Sequence, residues 1–478
     1  MPELLKNSGQ SLWHYLLAVV GVVLVLFAVA RLMSEKRQPG NTVAWLLAIL
    51  LIPWVGVPLF LLFGGRKLRR LAELKSRLYP VRLGLTPAVT STVNVPTAQI
   101  AASNGAGPPV GGNTVRLLTT GEQAFAALEE QIRAARHSIH ITTFILARDE
   151  VGKRLIRLLA ERARHGVKVR LLLDAVGCMF SSYGFCNPLR AAGGEVQRFM
   201  PVFPFFASRT SANLRNHRKI AVFDQHIAIV GGHNLAREYM GPTVIRQRWR
   251  DFGAVIAGPA AARLNEVFLA DWAFASGQPP DVLHRDPLPD ALRLEGTSEV
   301  QVVASGPDVG GDPLYEAILS MIQDAVHSIW IVTPYFIPDE VLLRSLMVKA
   351  RAGCEVTLIV PARSNHPVTD FARRYYLREL QRAGARVRLH GPGMMHSKAM
   401  IVDHRIGLLG SANFDLRSLF VNFEIGVLLY SEPDVRAMEA WAVGLLSHCR
   451  QSRLLHQRKS RFIGNVAEEL SRLLAPLL

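Results

Sequence analysis

The sequence is poor in cysteine, with Cys178, Cys186, Cys354 and Cys449 the only four in 478 residues. None falls in a Cys-x-x-Cys pair or at zinc-ligand spacing, which argues against a disulfide-stapled scaffold and a cysteine zinc site. Acidic residues are scarce too: 38, against 55 Lys and Arg, for a formal net charge of +17. Such a chain suits an anionic partner, either nucleic acid or an anionic lipid surface. Between Arg82 and Arg116 charge is absent altogether. Pro87, Pro96, Pro108 and Pro109, with interspersed glycines, exclude a membrane span there, and residues 79–113 read as a flexible linker.

Apolar length is concentrated near the N-terminus. Leu12–Ala30 is an uncharged run of 19 residues and Val43–Phe63 one of 21; crossing a hydrocarbon core takes about 20. Trp13, Tyr15 and Trp45 lie near the run ends, where amphipathic rings favour the interface. The first run lacks the small-x-small site of a signal peptide and is followed by the second. Pro53 and Pro58 predict a kink or partial insertion in that second run. Arg66, Lys67, Arg69, Arg70, Lys75 and Arg77 follow it, whereas the connecting loop holds Arg31, Lys36 and Arg37 against Glu35. Residues 1–78 therefore read as a two-helix transmembrane hairpin with both ends cytoplasmic and the loop outside.

Beyond the linker the chain repeats itself. Ala135-Arg-His-Ser-Ile-His-Ile-Thr142 resembles Ala325-Val-His-Ser-Ile-Trp-Ile-Val332, 190 residues on, and Asp149-Glu-Val151 matches Asp339-Glu-Val341 at the same offset. Each half opens with an amphipathic helix (Phe125, Leu128, Ile132; Leu314, Ile318, Met321) and alternates apolar strands with helices. The pattern predicts two similar α/β domains, 114–295 and 296–478, built on parallel sheets covered by helices.

The chemistry-bearing residues are duplicated as well. His217-Arg-Lys219-x4-Asp224 in the first half corresponds to His396-Ser-Lys398-x4-Asp403 in the second. Side chains two apart on a strand share a face, so each His and Lys can point into one site. Each Asp lies an odd number of residues from its His, which suits structural pairing better than substrate contact. Small-residue turns follow, Gly231-Gly232-His-Asn234 and Gly410-Ser411-Ala-Asn413, able to approach a phosphate closely. A later carboxylate follows each, Asp251 and Glu424, suited to holding the far nitrogen of a histidine and fixing its tautomer. Lys219 and Lys398, helped by Asn234, Ser411 and Asn413, can stabilise charge on phosphate oxygens. No carboxylate cluster calls for a metal, and no cofactor is expected. His226, His233, His366 and His404 match no ligand spacing and read as turn or surface residues.

These paired motifs resemble those of the phospholipase D superfamily, in which two His-Lys-Asp halves pack around one shared site. More narrowly, the chain resembles bacterial cardiolipin synthases. The likeness is carried by Pro58-Leu-Phe-Leu-Leu-Phe-Gly-Gly-Arg-Lys67, by Asn213-Leu-Arg-Asn-His-Arg-Lys219, and by Thr333-Pro-Tyr-Phe-Ile-Pro-Asp-Glu340. The resemblance implies a phosphatidyl transfer from one phosphatidylglycerol to another at the bacterial inner membrane. It implies His217 as nucleophile and His396 as acid and base; the near-symmetric motifs do not separate the two. A membrane-tethered nuclease and a hydrolytic phospholipase D share the motif, and a scaffold with an idle site is the reading from another class. The hairpin turns the expectation toward lipid and away from nucleic acid. Phe199–Phe206 reads either as an acyl-chain mouth or as a buried strand, and Phe462–Leu478 as a terminal amphipathic helix.

Overall fold

The computed structural model describes residues 19–30, 32–33, 39–63, 91–181, 184–202, 213–279, 295–391 and 393–452. Two compact units are present, Met1–Leu68 with Ser211–Asn213, and Arg69–Thr210 with Leu214–Leu478.

In the smaller unit, residues 19–30 are helical, and the apolar run expected as a second span is two helices, Pro39–Leu51 and Pro53–Phe63. Pro53 disfavours helical backbone at Ile52, which is where the break falls. The two helices fold back on one another. Trp45 and Phe60 meet edge-to-face with ring centroids 5.5 Å apart, whereas 15 residues of straight helix would separate them by about 22 Å. A Cβ on Gly56 would lie 2.1 Å from the Ala48 carbonyl oxygen, so glycine permits the close return. Among the described residues no helix is long and apolar enough to cross a membrane.

The larger unit is built on one mixed sheet. The first half contributes β1 (Val110–Leu118), β2 (Ser138–Thr143), β3 (Lys168–Asp174), β4 (Glu195–Phe199), β5 (Ile220–Phe223), β6 (Ile227–Gly231) and β7 (Gly253–Ala257). The second contributes β8 (Ser298–Ser305), β9 (Ser328–Val332), β10 (Phe336–Ile337), β11 (Glu355–Pro361), β12 (Arg386–His390), β13 (Ala399–Val402), β14 (Ile406–Gly410), β15 (Phe414–Asp415), β16 (Glu424–Leu429) and β17 (Cys449–Gln451). Fifteen strands run in the order β17-β12-β11-β9-β13-β14-β16-β8-β1-β7-β6-β5-β2-β3-β4, and β10 pairs separately with β15. Apart from the added β17, the order reads as a mirror image about the β8–β1 seam. At the seam the register slips between Val110 and Asn113, and the Asn113 amide donates to the carbonyls of Val110 (2.8 Å) and Ser298 (3.1 Å). Buried residues of both halves, among them Ile220, Phe252, Val332 and Met395, form one continuous core.

The expectation of parallel sheets holds for β2-β3-β4, β9-β11-β12 and the small β10-β15 pair. The strands that follow each His and Lys, β5 and β13, run antiparallel to β2 and β9 and, on the other side, to their hairpin partners β6 and β14. The repeated Asp-Glu-Val marks a helix start in each half. Asp149 accepts from Gly152 N (2.9 Å) and Asp339 from Leu342 N (3.1 Å), caps worth about 1 kcal/mol each.

The stretch read as linker is not structureless. Pro96–Ser103 is a helix with Thr97, Ala98 and Ala101 buried. The small side chains allow close docking: Thr97 Oγ1 lies 3.1 Å from Ser320 Oγ, and Gln301 Nε2 donates to Ala98 O at 3.1 Å. Phe199 is buried against Phe274 and Phe423. Residues 203–206 and the terminal segment 462–478 lie outside the described residues.

Candidate active site

Each motif occupies the loop and strand start just before an antiparallel hairpin. In the first, β5 ends at Phe223 and Asp224 turns the chain with a positive φ of 48°; in the second, Asp403 does so at 49°. Left-handed backbone is a conformation Asp tolerates better than most residues. There each carboxylate gathers three backbone N–H groups from the chain leading into the neighbouring strand. Asp224 accepts from Arg136, His137 and Ser138 at 2.7–2.8 Å, and Asp403 from Val326, His327 and Ser328 at 2.6–2.7 Å. Burial alone would raise the Asp403 carboxyl; the three donors outweigh it and hold it below the usual carboxylate range. Both aspartates lock the hairpins rather than face the histidines.

The histidines are brought together by two equivalent crossings between halves. Asn216 bridges Phe423, with His217 N donating to Phe423 O at 2.9 Å. Arg250 bridges Met395, with His396 N donating to Arg250 O at 2.6 Å. Each crossing sets a histidine beside the carboxylate of the opposite half. His217 Nδ1 lies 2.9 and 3.1 Å from the two oxygens of Glu424, and His396 Nδ1 lies 2.7 Å from Asp251 Oδ2. Hydrogen bonding at Nδ1 leaves Nε2 for a reacting group.

The charges are arranged in one buried field. Burial pushes the His217 imidazole below its ordinary value against the pull of Glu424, with Lys219 and Lys398 adding to the depression. Burial and Lys398 push His396 down to about 3, against the pull of Asp251. Burial also lowers Lys219 to about 7 and Lys398 to about 8. Glu424 and Asp251, which burial alone would raise, are held below the carboxylate range chiefly by the histidines they face. Lys219 Nζ donates to His217 O at 2.7 Å, and Lys398 Nζ donates to His396 O and stands 2.8 Å from His396 Nδ1 and 3.1 Å from its Nε2.

The small turns differ in detail between halves. Ser411 Oγ donates to Glu424 Oε2 and accepts from Ile425 N at 3.0 Å. In the first half Asp251 Oδ1 itself accepts from Phe252 N at 2.8 Å, and a Cβ on Gly232 would stand 2.1 Å from that oxygen. Asn234 Oδ1 accepts from Ile145 N at 3.1 Å and the side chain also bonds Tyr239. Asn413 is bonded to Asp415, and its Oδ1 has no protein partner among the described residues.

Several residues at the site were not legible as such. Arg218, between the motif His and Lys, is fully buried; it donates to Asp271 Oδ1 (2.6 Å), Glu424 O (3.0 Å) and Ser305 O (3.1 Å). Asp174, at the end of β3, accepts from Asn216 N at 2.9 Å. His233, expected at a turn or surface, is only 8% exposed and lies in the field of Asp251 and Lys398, because the turn carrying it folds inward over β7. The rings of Phe144 and Tyr239 meet His217 and His396 edge-on at 5.0 Å, and Trp249 lies 5.5 Å from His396. An Arg between two motif residues and a His beside a turn asparagine were the available signals.

Residues 128–272 and 318–445 match the family described as cardiolipin synthase, phospholipase D-like domain, and residues 17–65 match the phospholipase D-nuclease N-terminal family. A cardiolipin synthase of Geobacillus kaustophilus is 34% identical over 95% of this chain and 92% of its own length. Cardiolipin synthase 1 of Bacillus anthracis is 33% identical over 100% and 97%, and cardiolipin synthase A of Pseudomonas fluorescens 31% identical over 98% and 99%. A solved phosphatidylserine synthase from Haemophilus influenzae superposes with a TM-score of 0.59 at 16% identity, covering 76% of this chain and 95% of that one, and so shares the fold. On the family match and these full-length similarities, the chain belongs to the cardiolipin synthases of the phospholipase D superfamily.

Proposed function

We propose that the chain is a phosphatidyltransferase that makes cardiolipin from two phosphatidylglycerol molecules, residues 114–295 and 296–478 acting as two halves of one site. The observation that carries the reading is the crosswise pairing of each histidine with the other half's carboxylate, with both lysines in the same field. His217 Nε2 attacks the donor phosphorus while His396, which is neutral in the free site and takes up a proton once the bound phosphodiester anion offsets the lysines, protonates the departing glycerol oxygen, leaving a phosphatidyl group on His217. The terminal hydroxyl of a second phosphatidylglycerol then attacks that phosphorus, His396 takes its proton, and His217 is released. Lys219 and Lys398 carry the charge on the non-bridging oxygens. One phosphodiester forms for each one broken, so the exchange needs no nucleotide. Assignment of the nucleophile to His217 rests on the family likeness.

The N-terminal unit serves as the membrane anchor. Its apolar helices and the basic residues from Arg66 to Arg77 suit an anionic cytoplasmic leaflet, where each cation near the surface contributes about 1 kcal/mol. The test is to supply pure phosphatidylglycerol without nucleotide. Cardiolipin and glycerol in equal amounts are expected. Phosphatidic acid in place of cardiolipin would make the enzyme a hydrolase, and DNA cleavage without lipid turnover would make it a nuclease. Normal turnover by both His217→Ala and His396→Ala would sink the mechanism.

A further inference from the structure

Among the described residues of the larger unit, the exposed phenylalanine rings are Phe180 and Phe371. Phe180 is 76% exposed and lies with Val176 and Met179 in the turn after β3. Phe371 and Val368 stand in the first turns of the helix Pro367–Arg382, which follows β11. Strands β3 and β11 hold equivalent places in the mirrored order. Each half therefore presents an exposed aromatic with apolar neighbours beyond the same end of the same strand. Single exposed valines elsewhere are ordinary surface; a matched pair of aromatic clusters is not.

Both clusters lie next to chain that leads into the site, the first through a chain of contact to His217. Cys178, inside the first turn, donates from Sγ to Phe144 O at 3.2 Å, and the Phe144 ring packs on His217. In the second half, His366 precedes the helix and its ring lies 5.5 Å from that of Tyr335. Tyr335 donates to Asn365 at 2.5 Å and directly precedes β10, which pairs with β15 just after Asn413.

Cations accompany the apolar residues. Arg190 stands in the short helix Asn187–Ala191 that follows the first turn and donates to Asn187 Oδ1 at 3.4 Å. The Arg374 guanidinium sits 4.5 Å from the centre of the Phe371 ring, while Asp370 in that turn is paired with Arg373 at 2.9 Å. Exposed aromatics flanked by arginines match the composition of a surface that enters the headgroup layer of an anionic bilayer.

We propose that the turn bearing Phe180 and the helix start bearing Phe371 form a rim that inserts into the anionic bilayer beside the site, so that lipid substrates reach the histidines without leaving the membrane. The inference rests on the phosphatidyl-transfer reading and adds a lipid contact separate from the N-terminal anchor.

The test uses the full chain in phosphatidylglycerol vesicles. Phe180→Trp is introduced, and its emission is compared with that of the parent when the acyl chains carry bromine. Extra quenching of the new indole by at least a third is expected; a new indole no more quenched than the parent's own overturns the rim. Burial of that indole without bromine quenching would assign the patch to a second copy or another protein, and overturns it equally. In a second arm, Phe180→Asp combined with Phe371→Asp should lower cardiolipin formation from bilayer phosphatidylglycerol at least fivefold. Turnover of dispersed short-chain phosphatidylglycerol should stay within twofold. Unchanged bilayer activity, or equal loss on both substrates, contradicts the proposal. A parent protein that turns over neither lipid refutes the transferase reading instead, and the quenching arm still judges the rim.

Discussion

Asp251 and His396 belong to opposite halves of the repeat, yet Asp251 Oδ2 lies 2.7 Å from His396 Nδ1, deep in the protein. The mirrored pair, Glu424 and His217, meets at 2.9 Å. A half on its own would hold a histidine with no carboxylate to orient it, so the duplication yields one interlocked site rather than two. Replacing Asp251 by Asn, or Glu424 by Gln, keeps the shape but favours the wrong tautomer. Each change is expected to lower kcat by on the order of 10^3 to 10^4 with KM little altered. Steady-state cardiolipin formation measures this, and a loss below tenfold would remove these carboxylates from the mechanism. Asp251→Asn combined with His396→Ala should cost little more than His396→Ala alone, since the two act as a unit.

Exchanging the equivalent residues Gly232 and Ser411 should not be neutral. A serine at 232 would place its Cβ 2.1 Å from Asp251 Oδ1, in space the carboxylate needs to reach Phe252 N. Gly232→Ser is expected to destabilise by about 1–3 kcal/mol through overpacking, and to reduce turnover by displacing Asp251 from His396. Ser411→Gly instead strips Glu424 and Ile425 N of a partner, costing about 1–3 kcal/mol. Denaturation midpoints of the two variants report both effects, and a Gly232→Ser protein as stable and active as the parent would contradict the argument.

That the two His-Lys motifs meet in one buried cluster was legible because the motif is duplicated and each copy brings a His, a Lys and a later carboxylate. Asp224 and Asp403 stand in the motif that the resemblance counts as catalytic, and they hold the hairpins instead, as their odd spacing suggested. What spacing does not encode is which carboxylate meets which histidine. That follows from the two bridges, Asn216 to Phe423 and Arg250 to Met395, which join residues more than 100 positions apart. Burial of His233 and Arg218 was hidden for the same reason, since the groups that enclose them come from other elements. Strand direction was misread where apolar runs look alike in parallel and antiparallel sheets. The helix Pro96–Ser103 was missed because small residues suit a linker and a close-packed helix equally.

The lysines set the alkaline limit of the reaction. Burial lowers Lys219 to about 7 and Lys398 to about 8, so the free site loses positive charge as pH rises through that window. Affinity for a phosphodiester anion falls with it. The pH profile of kcat/KM, which reports the free enzyme, is expected to decline above pH 7–8. A bound phosphodiester favours the charged lysines, so the limb in kcat should lie at higher pH. Lys219→Arg, whose side chain stays charged, should flatten the kcat/KM limb even where it slows turnover. Identical alkaline limbs in parent and variant would contradict the assignment.

Fold-back of the second apolar run predicts a membrane topology different from two full spans. With Trp45 against Phe60, the chain entering at Pro39 and leaving after Phe63 does so at the same end of the helix pair. The 13 residues of Pro39–Leu51 reach about 20 Å, short of a hydrocarbon core about 30 Å thick. Single cysteines at Gly40 and Arg66, in a chain freed of its native cysteines, should react with an impermeant maleimide from the same side of sealed vesicles. Labelling from opposite sides would restore the full span.

Arg218 ties the first motif to the second half, and its removal should be felt as stability before chemistry. Its guanidinium bonds Asp271 and the carbonyls of Glu424 and Ser305, with Asp308 Oδ1 3.6 Å away, all out of reach of water. Arg218→Met takes from Asp271 the guanidinium it faces, and breaking a buried pair from one side costs about 3–5 kcal/mol. Combining it with Asp271→Leu removes the carboxylate as well and should recover a substantial part of the loss, because replacing both partners avoids stranding either one. Chemical denaturation of the full chain measures all three proteins. If the double variant proved less stable than Arg218→Met, hydrogen bonding of Asn216 Nδ2 to Asp271 Oδ2 at 3.1 Å would be the more important use of that aspartate.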